Sequence, residues 1–327
     1  MKKIFINHSV DPAFNLALEE LLASGSADEA VMLWRNAPSV IVGRNQNTLA
    51  EIDPVAVRER NIQVVRRITG GGAVYHDLGN VNYTIAVDDR QLDSGSFARN
   101  ARMIIDVLRK FDVPAEFSGR NDILVDGRKI SGSAKSVLAG RTLFHGTLLF
   151  DTDLSVLSQV LNPDEEKIRA KGIKSVRARV ANLKEFLPEW DTDRFIEEMA
   201  AGLLQTMEVD AVSEIPAWLS EKAEQLANSK YRSWEWNYGS VTAYSYQNKK
   251  RFACGGVEIG FNVRDNRICD MAIKGDFFGM EPSTGLAEKI NGSIPRLEDI
   301  AAKLAVVDIS DYISGISKAE FLTLFKL

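Results

Sequence analysis

The sequence predicts an α+β fold whose sheet is largely antiparallel. Short segments rich in β-branched and aromatic residues recur through the first 150 residues, and few helical patterns separate them. Asp126 and Gly127 in ILVDGRKI are a hairpin signal, because both residue types accept the positive φ angles of a type I′ turn. A second hairpin is expected at LAGRTL. Adjacent hairpins favour an antiparallel sheet over a doubly wound parallel one.

The first helix is predicted over residues 11–25, DPAFNLALEELLASG. Asp11 is its N-cap, Pro12 its first residue and Gly25 its stop signal. Its apolar side chains recur at helical spacing and should pack on a sheet. Strands then follow at VMLWR, SVIVG, IQVV, VNYTIAV, DILV, RKISGS and TLFHGTLLF, with a helix at about 97–111 between the fourth and the fifth.

The chain changes character after residue 150. Segment 164–180, DEEKIRAKGIKSVRARV, carries six basic and three acidic residues without an amphipathic period, so we expect a long mobile loop. Helical patterns resume at about 192–206 and 216–228. A hairpin, a further strand and two helical stretches follow residue 250, which is enough for a small α+β unit.

The length of 327 residues exceeds what one hydrophobic core normally organises, since single cores stop growing at roughly 250 to 300 residues. We therefore predict a large domain over residues 1–247 and an appended domain over 248–327. The net charge of −5 gives no global reason to expect binding to nucleic acid or an anionic membrane. Neither a signal peptide nor a run of about 18 apolar residues is recognisable, so a cytoplasmic location is expected.

Cysteine chemistry is not indicated by this sequence. Its two cysteines, Cys254 and Cys269, are too few for a disulfide framework or a zinc site. We expect both to be reduced and buried.

The segment RRITGGGAVYHDLGN, residues 66–80, is the first candidate site. Three consecutive glycines weaken a strand, so the backbone should gain a turn or a close approach there. Arg66 and Arg67 place positive charge beside bare backbone N–H groups, a combination that suits phosphate or carboxylate. The spacing matches neither the dinucleotide fingerprint nor a GxxxxGK[ST] phosphate loop. A nucleotide bound here would need another design.

The second candidate is Lys129 in GRNDILVDGRKISGSAKS. The small residues that follow it leave room for a ligand against the strand, where an ammonium group can meet a carboxylate or phosphoryl oxygen. Asn121 and Asp122 precede the same hairpin and could cap a strand end, hold a metal ion or orient a nucleophile.

Two weaker signals lie elsewhere. The basic segment 164–180 suits either a solvated face or a lid that closes over phosphates, with Gly172 as a pivot. His76 and His145 lie near glycines and could line a pocket, whereas His8 is expected to be structural or exposed.

These motifs together resemble those of the lipoate-protein ligases of the biotin/lipoate ligase-like family. RRITGGGAVYHDLGN, GRNDILVDGRKISGSA, HGTLLF and KGIKSVRARVANL occur in the family's order, and the first two are specific. WEWNYG and GGVEIGFNV resemble the accessory domain of the bacterial two-domain type. The resemblance implies a class II aminoacyl-tRNA synthetase/biotin-lipoate ligase-like catalytic domain over 1–247 and an α+β accessory domain over 248–327.

The resemblance also implies an activity and its partners. Free (R)-lipoate would react with ATP, with Mg²⁺ present, to give lipoyl-AMP and pyrophosphate. The lipoyl group would then pass to a lysine of a lipoyl domain, in the E2 subunits of 2-oxoacid dehydrogenases or in glycine-cleavage H protein. A monomer without nucleic-acid or membrane partners is expected.

Site residues carried over from the family fall into three groups. The catalytic pair would be Lys129 and Asp122, with Asp122 assisting Mg²⁺ or the incoming lysine. ATP and the adenylate would contact Arg67, Gly72, Ala73, Val74, Tyr75, Lys129, Lys171, Lys174, Ser175 and Arg177. Lipoate would contact Trp34, Gly43, Arg44, Gly70, Gly71, His76, Lys129, Ser131 and Gly132.

Several alternatives stay open at this point. A related octanoyltransferase would need a cysteine nucleophile, and the predicted large domain contains none. A biotin ligase is less favoured, because the two specific motifs resemble the lipoate branch. An amidotransferase that passes lipoyl from H protein to E2 domains and a non-catalytic lipoate binder both fit the fold.

Overall fold

The computed structural model describes residues 2–25, 29–87, 96–119, 121–161, 180–238 and 244–325. Within these ranges its strands are β1 (Lys2–Asn7), β2 (Glu29–Arg35), β3 (Ser39–Val42), β4 (Gln63–Arg66), β5 (Val74–His76), β6 (Asn80–Val87), β7 (Glu116–Ser118), β8 (Asp122–Val125), β9 (Arg128–Leu138), β10 (Arg141–Leu149), β11 (Tyr246–Phe252), β12 (Gly255–Arg264) and β13 (Arg267–Gly275). The helices are α1 (Pro12–Gly25), α2 (Thr48–Glu51), α3 (Pro54–Glu59), α4 (Ser96–Lys110), α5 (Leu154–Val160), α6 (Thr192–Met207), α7 (Ala217–Leu226), α8 (Trp234–Tyr238), α9 (Ser283–Ile290), α10 (Leu297–Lys303) and α11 (Lys318–Leu322).

A seven-stranded sheet in the order β1-β2-β6-β10-β9-β8-β7 forms the centre of the molecule. Only β1 and β2 run parallel in it, and the other neighbouring pairs are antiparallel. This arrangement confirms the predicted α+β fold with a largely antiparallel sheet.

Both predicted hairpins are present in this sheet. Asp126 and Gly127 join β8 to β9 with φ angles of 50° and 72°. Ala139 and Gly140 join β9 to β10 with φ angles of 50° and 78°. Two successive positive φ angles are the signature of the type I′ turn, which matches the twist of the paired strands.

Helices cover both faces of the large sheet. On one face, Leu108 of α4 and Phe195 of α6 belong to a continuous buried core with the strands. On the other face, Leu18 of α1 and Leu219 of α7 belong to a second core. Helix α1 begins as predicted, because Asp11 Oδ1 accepts a hydrogen bond of 2.9 Å from the Ala13 N–H. The sheet is therefore buried on both sides.

A small sheet in the order β4-β3-β5 lies on the α1 side of the large sheet, where buried Ile41 and Val65 join the core of α1. Strand β3 is parallel to β4 and antiparallel to β5. The crossover between β4 and β5 carries the glycine triplet of the sequence. Strand pairing thus fixes both ends of that segment while leaving its middle outside the ladder.

The C-terminal part of the chain builds a core of its own. Strands β11, β12 and β13 form an antiparallel sheet, and α9, α10 and α11 pack with it. Its buried residues all fall between Cys254 and Phe325. Cys254 is buried as expected, whereas Cys269 is partly exposed, and the two do not form a disulfide.

Two sequence predictions need a separate statement. The expected loop over 164–180 lies outside the described residues, apart from its last residue, Val180. Among the helices that the structure does describe, none combines the length and apolar character needed to span a bilayer.

Candidate active site

Lys129 and Asp122 form an ion pair on adjacent strands. Lys129 Nζ lies 2.7 Å from Asp122 Oδ1, and the two side chains are 38% and 32% exposed. Gly132 pairs with Asp122, and a Cβ added at Gly132 would lie 2.7 Å from Lys129 Nζ. Glycine at 132 therefore keeps the space in which the ammonium group lies. The hairpin brings both predicted catalytic residues together at the surface of the sheet.

A close backbone contact and a positive φ angle explain two glycines of the triplet, Gly70 and Gly71. A Cβ at Gly70 would lie 2.4 Å from the Phe277 carbonyl oxygen, and a Cβ at Gly43 would lie 2.0 Å from that of Gly71. Gly71 itself has a φ of +91°. Because a side chain at these positions would meet backbone rather than a flexible group, glycine is needed for packing as well as for conformation.

The buried Arg67 side chain holds the glycine segment, residues 70–72, in place by hydrogen bonds. Its Nη2 donates to the carbonyls of Gly70 and Gly72 at 2.7 and 2.8 Å, its Nη1 to Ile41 at 3.0 Å, and its Nε to Thr69 Oγ1 at 2.9 Å. Burial lowers the pKa of Arg67 to about 10. Four of the five guanidinium N–H donors are thus directed at the protein, which leaves one Nη1 donor for a ligand.

Arg66 acts similarly on the neighbouring turn. Its Nη1 donates to the carbonyls of Gly43, Arg44 and Gln46, at 2.9, 3.1 and 2.7 Å. Its Nη2 donates to Thr48 Oγ1 at 2.6 Å. From the sequence we expected both arginines to place positive charge beside free backbone N–H groups. In the structure both guanidinium groups serve mainly to hold carbonyl groups in place.

Free backbone N–H donors do occur in the glycine segment. Within the described part of the chain, the N–H groups of Gly72 and Ala73 have no acceptor. Both residues are partly exposed, as is Val74, which begins β5, and Tyr75 beside it is buried. Donors that point out of a glycine-rich segment can bind an anion. The positive φ angle of Gly71 turns the chain between the Gly70 carbonyl, which Arg67 holds, and these two free N–H groups.

His76 is held as a neutral imidazole. Asn15 Nδ2 donates to Asn36 Oδ1 at 2.9 Å, which turns the Asn36 Nδ2 toward His76 Nδ1 at 3.0 Å. His76 Nδ1 therefore accepts, and the ring proton resides on Nε2. Burial lowers the pKa of His76 to about 3, and the positive charge of Arg67 adds to the effect. The buried Nε2 has no partner among the described residues, so it is a donor available to a ligand.

The predicted lipoate contacts gather near His76 only in part. Trp34 lies edge-on to the His76 ring with centroids 6.4 Å apart. Arg44 N donates to the Thr69 carbonyl at 2.9 Å, which places the turn at Gly43 and Arg44 against the glycine segment. Burial lowers the pKa of the Arg44 guanidinium, and the carboxylate of Glu281 acts in the opposite direction.

Lys129 lies across the sheet from Trp34, because Trp34 pairs with Asn82, Asn82 pairs with Thr147, and the Gly132 N–H donates to Thr147 Oγ1. Three strand spacings of about 4.8 Å separate β2 from β9, which places the two ends roughly 14 Å apart. Ser131 pairs with Ile123, whose side chain belongs to the core on the α4 side, so the Ser131 side chain faces away from Lys129. The site is consequently elongated, with a cation at one end and an aromatic, polar pocket at the other.

The remaining predicted contacts, Lys171, Lys174, Ser175 and Arg177, lie outside the described residues. The chain that follows them is anchored beside the ion pair of Lys129 and Asp122, because Ala181 N donates to the Lys129 carbonyl at 3.0 Å. Val180 also forms a bridge with Lys129.

Sequence reasoning missed two kinds of residue. Glu19 and Thr69 are buried beside His145 and bonded to it, but isolated polar residues in a helix and a loop give no motif. The C-terminal unit was also missed as a neighbour of the site. Gly275 N donates to the Asn45 carbonyl at 2.7 Å, and the Phe277 carbonyl accepts from Gly71 N at 3.4 Å.

Comparisons with known proteins agree with this arrangement. Residues 11–204 match the family model described as the lipoyl protein ligase A/B catalytic domain, and residues 242–325 match the bacterial lipoate protein ligase C-terminus. Lipoate–protein ligase 1 of Staphylococcus aureus is 40% identical over 99% of both chains. The structure of Plasmodium falciparum LipL1 in complex with lipoate aligns with a TM-score of 0.80 at 26% identity, over 99% of this chain and 97% of that chain. A lipoate-protein ligase A bound with ATP aligns with a TM-score of 0.63 at 28% identity, over 73% of this chain and 98% of that chain.

Proposed function

The chain belongs to the lipoate-protein ligase family, and we propose that it attaches lipoate to lipoyl domains in two ATP-dependent steps. In the first step a carboxylate oxygen of lipoate attacks the α-phosphorus of ATP, and pyrophosphate leaves. In the second step the amine of an acceptor lysine attacks the carbonyl carbon of lipoyl-AMP. AMP leaves, the nitrogen loses a proton and an amide results.

The ion pair of Lys129 with Asp122 is the observation that carries this proposal. The attacking carboxylate and the α-phosphate are both anionic, so a cation between them reduces their repulsion and aligns them. Asp122 engages one side of the ammonium group at 2.7 Å. The other protons of Lys129 Nζ remain for the two substrates, since an ammonium group has three donors.

In this proposal the glycine segment lines one side of the nucleotide site, and we call this surface the glycine wall. The N–H groups of Gly72 and Ala73 face phosphate oxygens, and the remaining donor of Arg67 adds positive charge. Val74 and Tyr75 continue the wall along β5. Its shape is fixed before ATP arrives, because Arg67 already holds the carbonyls of Gly70 and Gly72.

The acyl chain of lipoate lies between Lys129 and the pocket of Trp34, Gly43 and His76. The separation of roughly 14 Å across β2, β6, β10 and β9 suits an extended carboxylic acid with a terminal ring. The acyl chain contacts the backbone at Gly70, Gly71 and Gly132 in this proposal, and the unpartnered His76 Nε2 offers a hydrogen bond. Arg44 and the backbone at Ser131 complete the proposed lining.

Mg²⁺ fits the site only together with the nucleotide. Among the described residues, no group of three or more His, Cys, Asp or Glu side chains could hold a metal ion. Mg²⁺ bound to a nucleotide needs one or two carboxylates besides phosphate and water. Asp122 can supply one through the carboxylate oxygen that does not pair with Lys129. The ion would neutralise phosphate charge.

The rest of the proposal concerns partners. By resemblance, Lys171, Lys174, Ser175 and Arg177 contact the adenylate. The acceptors are lipoyl domains of E2 subunits and H protein. The catalytic domain is proposed to end near residue 247, close to β11, which begins at Tyr246.

The test combines intact-mass analysis with ATP/pyrophosphate exchange. Purified protein with ATP, Mg²⁺, lipoate and an apo lipoyl domain should add one lipoyl group to the acceptor. Modification that occurs only when lipoyl-H protein is supplied as donor would establish amidotransfer instead. No modification with either donor would leave a lipoate binder.

Lys129→Ala is expected to lower lipoate-dependent exchange by at least about 100-fold, as is usual when a preorganised charge at the reacting group is removed. Lys184→Ala is the matched control, because Lys184 Nζ pairs with Asp151 at 2.6 Å and its side chain is 40% exposed. Equal activity of the two variants would remove Lys129 from the mechanism.

A further inference from the structure

A line of buried polar side chains leads away from the glycine segment. Arg67 Nε donates to Thr69 Oγ1 at 2.9 Å, and Thr69 Oγ1 lies 2.7 Å from His145 Nε2. His145 Nδ1 lies 3.0 Å from both carboxylate oxygens of Glu19. Glu19 is 1% exposed and Thr69 is fully buried. Burial of such groups is costly unless they are bonded, so the line needs a structural or functional reason.

Glu19, at the end of this line away from Arg67, is also bonded to a residue of the large sheet. Trp34 Nε1 donates to Thr84 Oγ1 at 2.8 Å, and the Thr84 hydroxyl donates to Glu19 Oε1 at 2.5 Å. Because indole N–H groups only donate, Thr84 must accept from Trp34 and pass its own proton to the carboxylate. Glu19 Oε1 therefore accepts from Thr84, and the carboxylate, carried by α1, lies against β6 and β10.

Proton accounting then gives the direction of each remaining bond. Arg67 Nε can only donate, so Thr69 Oγ1 accepts there, and the other partner of this hydroxyl among the described residues is His145 Nε2. The buried hydroxyl proton has an acceptor among these residues only when Thr69 donates to Nε2. His145 then carries its ring proton on Nδ1 and donates it to Glu19.

A hydroxyl bonded to an imidazole that is bonded to a carboxylate can also be an activated nucleophile. Two observations argue against that role. Thr69 is fully buried, so a substrate carbonyl carbon cannot reach its oxygen. That oxygen also accepts a hydrogen bond from the cationic Arg67, which makes it a weaker nucleophile.

We propose that Glu19, His145 and Thr69 are positioning residues that orient Arg67 and thereby set the shape of the glycine wall. Arg67 holds the carbonyls of Gly70 and Gly72, so a rotation of its guanidinium group moves both. The inference rests on the proposed function for its kinetic consequences. The bonding directions themselves are a property of the ligand-free protein.

Kinetics of three variants test the positioning role. Thr69→Val keeps the shape of the side chain but removes its hydroxyl, and we expect KM for lipoate and ATP to rise by roughly 10- to 100-fold with a smaller change in kcat, because a buried donor loses its acceptor. Thr69→Ser should restore wild-type values. Thr152→Val is the control, since Thr152 is 3% exposed and its hydroxyl has no partner among the described residues. Equal kinetics for Thr69→Val and Thr152→Val would overturn the proposal.

Nitrogen-15 spectra of the imidazole rings supply a readout that needs no ligase activity. The chain has three histidines, so His→Gln variants can assign each ring. We expect the Nδ1–H tautomer for His145 and the Nε2–H tautomer for His76. In Thr69→Val the His145 Nε2 resonance should move while that of His76 stays. An Nε2–H tautomer or an imidazolium at position 145 in the wild type would contradict the inferred directions, whatever the protein is found to ligate.

Discussion

At the scale of single residues, the site depends on polar groups whose protonation is fixed by burial. His76 stays neutral because a charged imidazole would lose its solvation in the buried site. The positive charge of Arg67 would also repel it. Its ordinary pKa of 6.5 is lowered to about 3 in the folded protein. Between these values the unfolded chain binds a proton that the folded chain does not, so unfolding takes up a proton. The free energy of unfolding must therefore fall as the pH falls through this window.

His76→Gln should make the protein less sensitive to acid. Gln can still accept from Asn36 but does not titrate, so the contribution of about 1.4 kcal/mol per pH unit between pH 6.5 and about 3 should disappear. Urea unfolding at a series of pH values measures this slope. His8→Gln removes an exposed imidazole and is the control. The prediction is wrong if both variants retain the slope of the wild type.

Single residues were also where sequence reasoning reached its limit. The pairing of Lys129 with Asp122 could be expected, because both flank one hairpin and the hairpin signal is local. The inward use of Arg66 and Arg67 could not, since a sequence does not show which carbonyls face a guanidinium group. Glu19 meets His145 only through tertiary packing, across residues far apart in the chain.

At the scale of elements, the β8–β9 hairpin determines where the ion pair of Lys129 and Asp122 lies. Gly127 has a φ of 72°, and a Cβ added there would meet nothing within 4 Å. Gly127→Ala should therefore cost only the backbone strain of a left-handed residue, about 1 to 2 kcal/mol. Gly127→Asn should cost less, because Asn tolerates this conformation. Denaturant unfolding of the two variants checks the order, and an equal or reversed cost would show that this turn is not under the inferred restraint.

The elements themselves were well predicted where the pattern was local. The first helix, α4, α6 and both hairpins follow their sequence signals within a few residues. Strands β1, β5 and β7 were missed. β5 and β7 have only three residues each, and β1 gains its identity from its parallel pairing with β2. Such strands are defined by partners distant in sequence, so no local period reveals them.

At the scale of the whole molecule, the C-terminal unit is in contact with the candidate site. The Phe278 ring lies 5.9 Å from that of Phe97, centroid to centroid, and Ser283 Oγ donates to Asn45 Oδ1 at 3.2 Å. Together with the Phe277 carbonyl at Gly70, these contacts hold two separate cores against each other. The sequence predicted the unit but gave no sign of where it docks.

Gly70→Ala should loosen this contact, because its Cβ would lie 2.4 Å from the Phe277 carbonyl oxygen. Relieving such an overlap requires backbone shifts that typically cost about 1 to 3 kcal/mol. Small-angle scattering should show a larger radius of gyration than in the wild type. Gly127→Ala introduces the same methyl group into open space and should leave the radius unchanged. Identical scattering from both variants would mean that the Gly70 contact does not hold the two units together.

The inward orientation of Arg66 and Arg67 bears on chemical labelling. The two residues are only 7% and 5% exposed, and their guanidinium groups donate hydrogen bonds to carbonyl groups. Dicarbonyl reagents need an unhindered guanidinium group, so they would spare this pair in the folded protein. If such a reagent inactivated the enzyme, the arginine responsible would have to be sought elsewhere, even though the RR motif is what the sequence offers first.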